Sequence, residues 1–195
     1  MKKVIIIVVV IVLCIGGYFG IKYFLDKDLE NQKQELQNTI DKYGTVEKES
    51  VSTIVHKFNT QLNSSEGLNY ATDEYATVQD NLYWYGLYED IYCYLKPVEF
   101  TNSKDKDVVD IATIHFSKNS KNEKTALEYV KYLMKANNPE LTDNEIQTLM
   151  EDAKRLSPDR KKANNGKGIS IGLLETEEVV EYQITRLYEQ TPIME

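Results

Sequence analysis

Cysteine and histidine are scarce in this chain, with two of each in 195 residues. Cys14 lies inside a long apolar run and Cys93 far downstream among alternating apolar residues, so a bridge between them is geometrically unreasonable and no disulfide framework exists. His56, His115 and one cysteine outside the run fall short of a typical structural zinc set. Neither G-x-S-x-G nor H-E-x-x-H occurs. Asp105, Asp107 and Asp110 lack the glycine and the distal glutamate of a calcium loop. Gly166-Lys167-Gly168 leads toward a predicted strand instead of a helix N-terminus, so no row of free backbone donors awaits a phosphate. The expectation is a chain without cofactor or metal. Basic charge is short as well. Lys2, Lys3 and Lys22 are the only charged residues among the first 25, leaving 20 basic against 31 acidic side chains in the remainder, a net of −11. Such a surface repels phosphate backbones, which argues against nucleic acid as a partner.

What the chain does have is the run Val4 to Leu25, VIIIVVVIVLCIGGYFGIKYFL, broken by the single charge of Lys22. As a helix rising ~1.5 Å per residue it would reach roughly 33 Å, enough for a hydrocarbon core about 30 Å thick. In lipid a lone segment has no other way to satisfy its backbone polar groups, so a β-branched run is driven to helix. Lys2 and Lys3 precede it, while Tyr18, Phe19, Tyr23 and Phe24 crowd its far end at the depth favoured by aromatic rings. The expected arrangement is a cytoplasmic N-terminus at residues 1–3, a signal-anchor helix at 4–25 in the lipid bilayer, and the rest outside the cell membrane. Secretion after signal cleavage is the alternative. Leu13 ahead of Cys14 argues against a lipoprotein signal. Gly16 and Gly20 form a small-xxx-small pair through which two such helices would approach closely as a homodimer.

Beyond the run, residues 26–44 carry charge and helical spacing (Leu29, Leu36, Ile40, Tyr43) up to Gly44, which suits a stalk helix ending on glycine. A second helix is predicted from Val46 to Leu62, with Val51, Ile54, Val55, Phe58 and Leu62 on one face and His56 toward solvent. Leu68 to Asn81 fits helix or strand equally. The aromatic alternation of Leu82 to Phe100 predicts two strands broken near Glu89-Asp90, and Asp107 to Ser117 a third, central strand with Ala112, Ile114 and Phe116 on one side and Val109, Ile111, Thr113 and His115 on the other. Ser120 to Glu123 and Thr142 to Glu145 each have capping-box form and open two consecutive helices. Ser157 to Lys167 is expected to be a polar loop. Gly168 to Glu175 and Val179 to Leu187 then form a terminal hairpin, with residues 188–195 as a tail. Strands, then helices, then strands again give an α+β domain over 45–187, a mainly antiparallel sheet with helices on one face.

Two groups carry the binding expectation. The aromatic set Tyr83, Trp84, Tyr85, Tyr88, Tyr92 and Tyr94 alternates, so some rings are forced off the core face, where they would meet a glycan or a peptide strand. The loop with Arg160, Lys161 and Lys162, flanked by Lys154, Arg155 and Lys167, is locally basic on an acidic domain and would suit an anionic wall polymer or headgroup. Richness in Lys, Asn, Ile and Tyr leans toward a low-GC bacterium. The leading expectation is a membrane-anchored, non-catalytic binding or accessory module of a bacterial cell envelope, partnered by a protein or a cell-wall component. The alternatives are an anchored hydrolase using His115 with sheet carboxylates and a structural protein dimerising through membrane helix and stalk.

Overall fold

Ser50 starts the first helix of the domain by accepting a hydrogen bond from the Thr53 amide at 3.2 Å, the usual way a serine satisfies an orphan donor. That helix, α1 (Val51–Leu62), is rich in β-branched residues and owes its stability to a buried stripe of Val51, Ile54, Phe58 and Leu62 rather than to propensity. His56 is exposed, as expected. The computed structural model describes residues 34, 37–38, 41–42, 44–63, 65, 67–72, 76–79, 82–98 and 107–188. The predicted membrane run with Gly16 and Gly20, most of the stalk, and positions 189–195 lie outside them. No helix among the described residues is long and apolar enough to cross a membrane. The chain divides into two compact units, Met1–Asp41 and Lys42–Glu195, and the sheet belongs to the second.

Seven strands follow: β1 (Ala76–Gln79), β2 (Leu82–Tyr88), β3 (Ile91–Pro97), β4 (Val109–Ser117), β5 (Ala163–Asn164), β6 (Ile169–Glu175) and β7 (Val179–Arg186). They lie in the order β1-β2-β3-β4-β7-β6-β5, and every pairing is antiparallel. β4 is the middle strand, as its two-sided apolar pattern predicts. Helices α2 (Glu123–Asn137) and α3 (Asp143–Leu156) connect it to the second half of the sheet. The α+β class is therefore observed.

Register decides which side chains share a face. Tyr85 pairs with Cys93, Cys93 with Ile114, Ile114 with Tyr182 and Tyr182 with Leu173, and all five are buried. They join the buried stripes of α1, α2 and α3 in one core that includes Phe58, Tyr129, Leu133, Leu149 and Met150. Helices α1, α2 and α3 thus cover a single face. Cys93 is part of that core, where burial pushes its thiol well above the ordinary cysteine range and leaves it an inert packing residue.

The structure corrects several sequence expectations. Helix α1 begins at Val51, not Val46, because residues 46–49 run extended: the Val46 amide donates to Leu187 O at 2.7 Å and the Val109 amide to Glu49 O at 2.9 Å. The Ser120 capping box does not form. Asn122 is the cap residue of α2, and Ser120 Oγ instead accepts from the Asn122 amide and donates to Asp90. The Thr142 box does form, with both reciprocal hydrogen bonds to Glu145. An irregularity opposite Lys96 and Pro97 pairs Ile111 with Lys96 and Val109 with Pro97, which turns Val109 onto the core face, away from Ile111 and Thr113. Residues 76–79 of the ambiguous stretch are strand. The polar loop contains a 3-10 turn at Ser157–Asp159 and the short β5. Tyr188, assigned to the tail, is buried.

Candidate functional site

Strand alternation sends every second residue of the sheet to the face that α1, α2 and α3 leave open. Two rows cross that face. In one, Trp84 of β2 opposes Tyr94 of β3, which opposes Thr113, then Gln183, then Gly172. In the other, Gly86 opposes Tyr92, then His115, Glu181 and Leu174. Gly86 contributes no side chain beside Tyr92. Tyr92 and Leu174, each 40 % exposed, stand toward the two ends of the second row with the His115–Glu181 pair between them.

The rings meet at the corner of these rows. Trp84 and Tyr94 lie 4.6 Å apart between centroids at 42°, and the His115 ring is approached edgewise by Trp84 at 6.1 Å and by Tyr92 at 6.2 Å. Offset and edge geometries of this kind favour the ring quadrupoles and fix the rings relative to one another.

His115 and Glu181 form the polar centre. Nδ1 of His115 stands 3.0 Å from Oε1 of Glu181, their side chains 23 % and 15 % exposed. An ionised carboxylate can only accept, so Nδ1 carries the proton, and Nε2 bonds none of the described residues. Oε2 accepts from the Tyr94 hydroxyl at 3.2 Å and from Gln183 Nε2 at 3.1 Å. The hydrogen bond from His115 holds the Glu181 carboxyl below the usual carboxylate range, and Gln183 and Tyr94 add to it against the opposing effect of burial. Burial pushes the Tyr94 phenol up to about 12, and it stays protonated as the donor this network needs.

A second charged group lies farther along the face. The stem of Lys162 crosses Gly172, where any added Cβ would come within 3.2 Å of Lys162 Cγ, and its ammonium donates to Thr185 Oγ1. Asp110, half-buried, has its carboxyl pushed up by burial, with the positive charges of Lys162 and Lys96 opposing that rise. The carboxylates on this face are thus matched within it.

Of the predicted aromatic set, the structure brings Trp84, Tyr92 and Tyr94 together on the open face. Tyr85 is buried in the core, and Tyr83 packs against the core with its hydroxyl 3.4 Å from Asp107. Tyr88 also packs against the core, because the irregularity between Gly86 and Tyr88 breaks the alternation. The basic loop does not converge on one point: Arg155 pairs with Asp152, Lys161 with Asp159 and Lys167 with Glu145, Arg160 is exposed at a left-handed position (φ 55°), and only Lys162 reaches the open face. Glu181, Gln183 and Leu174 were absent from the predicted site. The alternation of β7 marks Glu181 and Gln183 as outward-facing, but their meeting with His115 depends on the β4–β7 register, which no local pattern carries. No family model, no curated protein and no solved structure matches the chain.

Proposed function

We propose that the chain is a membrane-anchored module that holds its α+β domain outside the cytoplasm and binds a ligand non-catalytically on the open sheet face, as an accessory part of a bacterial envelope assembly. One observation carries the binding reading: α1, α2 and α3 pack on one face, and the other gathers Trp84, Tyr92, Tyr94 and the His115–Glu181 pair. The apolar run Val4 to Leu25 supports the anchor. The test uses the full-length protein. It should sediment with membranes after an alkaline wash and be digested by external protease on spheroplasts, and Tyr92→Ala with Glu181→Gln should lose the partner or wall fraction retained by the wild type in mild detergent. Full-length product in the high-speed supernatant would overturn the anchor, and unchanged retention by the double variant would overturn the site.

A second reading has its own observation. An imidazole whose Nδ1 donates to a carboxylate at 3.0 Å presents Nε2 as a candidate general base, the relation between base and orienting group found in hydrolases. Thr113, its neighbour on the face, is fully buried, and Cys93 lies on the opposite face, so water would be the nucleophile. In this reading His115→Gln abolishes a hydrolytic activity while ligand retention survives. Loss of retention without any turnover by the wild type would refute it.

A further inference from the structure

Resting on the reading of the open sheet face as a binding surface, we propose that its ligand is an uncharged, hydroxyl-rich glycan whose pyranose rings stack on Tyr92 and Trp84 and whose hydroxyls bond the polar groups between them. Charge argues for a neutral ligand. Glu181 already accepts hydrogen bonds from His115, Tyr94 and Gln183, and Asp110 lies in the field of Lys162 and Lys96, so among the described residues neither carboxylate is left unengaged for a cationic segment. The net −11 beyond the apolar run repels a polyanion.

The remaining hydrogen-bonding groups suit a polyol. Nε2 of His115, Nε1–H of Trp84, the Tyr92 hydroxyl and the Gln183 amide oxygen bond no described residue, and together they offer both donors and acceptors, as a polyol requires. Three strand spacings separate β2 from β7, about 14 Å, which is room for a short run of sugar rings laid across the strands. A peptide strand would look for an unpaired sheet edge; this site lies on strands hydrogen-bonded on both sides.

Trp84 is the sole tryptophan of the chain, so its emission reports on this site alone. The experiment titrates the full-length protein, held in a detergent without a sugar headgroup, with neutral β-linked oligosaccharides of glucose and of N-acetylglucosamine. Polygalacturonate and an oligolysine serve as charged probes. A saturable shift with a neutral oligosaccharide is expected, weakened about ten-fold by Tyr92→Ala, since a lost ring contact of ~1.4 kcal/mol is one decade in affinity. Tyr70→Ala, which removes an equally exposed ring elsewhere, should leave the titration unchanged. Emission unmoved by every neutral oligosaccharide, with acrylamide still quenching Trp84, overturns the glycan assignment. A shift with a charged probe alone, abolished by Tyr92→Ala, overturns it while sparing the binding face. Acrylamide failing to reach Trp84 overturns both.

Discussion

Replacing Arg186 by methionine removes a guanidinium that has no exposed side-chain surface and that ties three parts of the domain together. Nη1 donates to the carbonyl and Oδ1 of Asn137 at the end of α2, at 3.3 and 2.9 Å, while Nη2 donates to Glu47 O at 2.6 Å and to Glu49 Oε2 at 2.9 Å. Arg186 closes β7, and Glu47 and Glu49 belong to the extended segment leading into α1, so the contact fastens that segment to the sheet. Removing one member of a buried pair costs about 3–5 kcal/mol because the other charge is left without compensation. Glu49 also binds Lys57, which keeps it partly answered and places Arg186→Met near the lower end, ~3 kcal/mol. Glu49→Met leaves the cation among carbonyls alone and belongs near ~5 kcal/mol, a large share of the roughly 5–15 kcal/mol that holds a domain folded. The double variant strands no buried charge, since Lys57 is part-exposed, so it should cost about 2–3 kcal/mol less than the sum of the singles. Urea unfolding followed at Trp84 measures all four species. Single losses below about 1 kcal/mol, or additivity within about 0.5 kcal/mol, would show that the pair is solvated and the reasoning wrong.

The His115–Glu181 pair predicts a pH effect of definite sign. A carboxylate whose pKa is depressed on folding stabilises above its ordinary pKa and loses that contribution as pH falls through the folded value, so the stability advantage of the wild type over Glu181→Gln should shrink as the pH is lowered through the ordinary carboxylate range and below it. A difference in urea midpoint that stays constant over that window sinks the assignment. Gly168 and Gly67 both have positive φ, 75° and 84°, but an added Cβ at Gly168 would meet the Thr45 backbone at 2.3 Å whereas at Gly67 it meets nothing within 4 Å. Gly67→Ala should therefore cost only the conformational ~1–2 kcal/mol and Gly168→Ala about twice that or more, and equal thermal shifts would contradict it. Thr142→Ala should cost about 1 kcal/mol through loss of its cap, visible as a lower urea midpoint.

Periodicity carried the parts of this fold that depend on local burial. The stripe of α1, the alternation of β2, β3 and β7, and the two-sided apolar pattern of β4 all follow from which neighbours along the chain are apolar. Features that depend on distant partners were not legible. Ser120 and Thr142 have the same capping spacing, and what separates them is Asp90, thirty residues upstream of Ser120, which takes its hydroxyl. Val109 changes face because of an irregularity opposite Lys96, and Tyr188 is buried although nothing near it marks a core position. The site divides in the same way. That His115 points away from Ala112, Ile114 and Phe116 is a property of β4 alone; that Glu181 faces it is a property of the pairing between β4 and β7.

The composition of the open face is itself an argument for use. An antiparallel sheet with one solvated face normally alternates apolar inward with polar outward, and the outward positions cost little when filled with small or charged residues. Here they include Trp84, Tyr92, Tyr94, Ile111 and Leu174. Two of the three large hydrophobic side chains exposed among the described residues, Tyr92 and Leu174, fall in one row of this face on either side of His115 and Glu181. At 40 % exposure such a side chain forgoes roughly 1 kcal/mol of the about 1.5–3 kcal/mol that full burial returns. Packing alone would have no reason to concentrate that loss around an imidazole whose outer nitrogen bonds none of the described residues, whereas a surface that gains its burial from a ligand would place its rings and its hydrogen-bonding centre together.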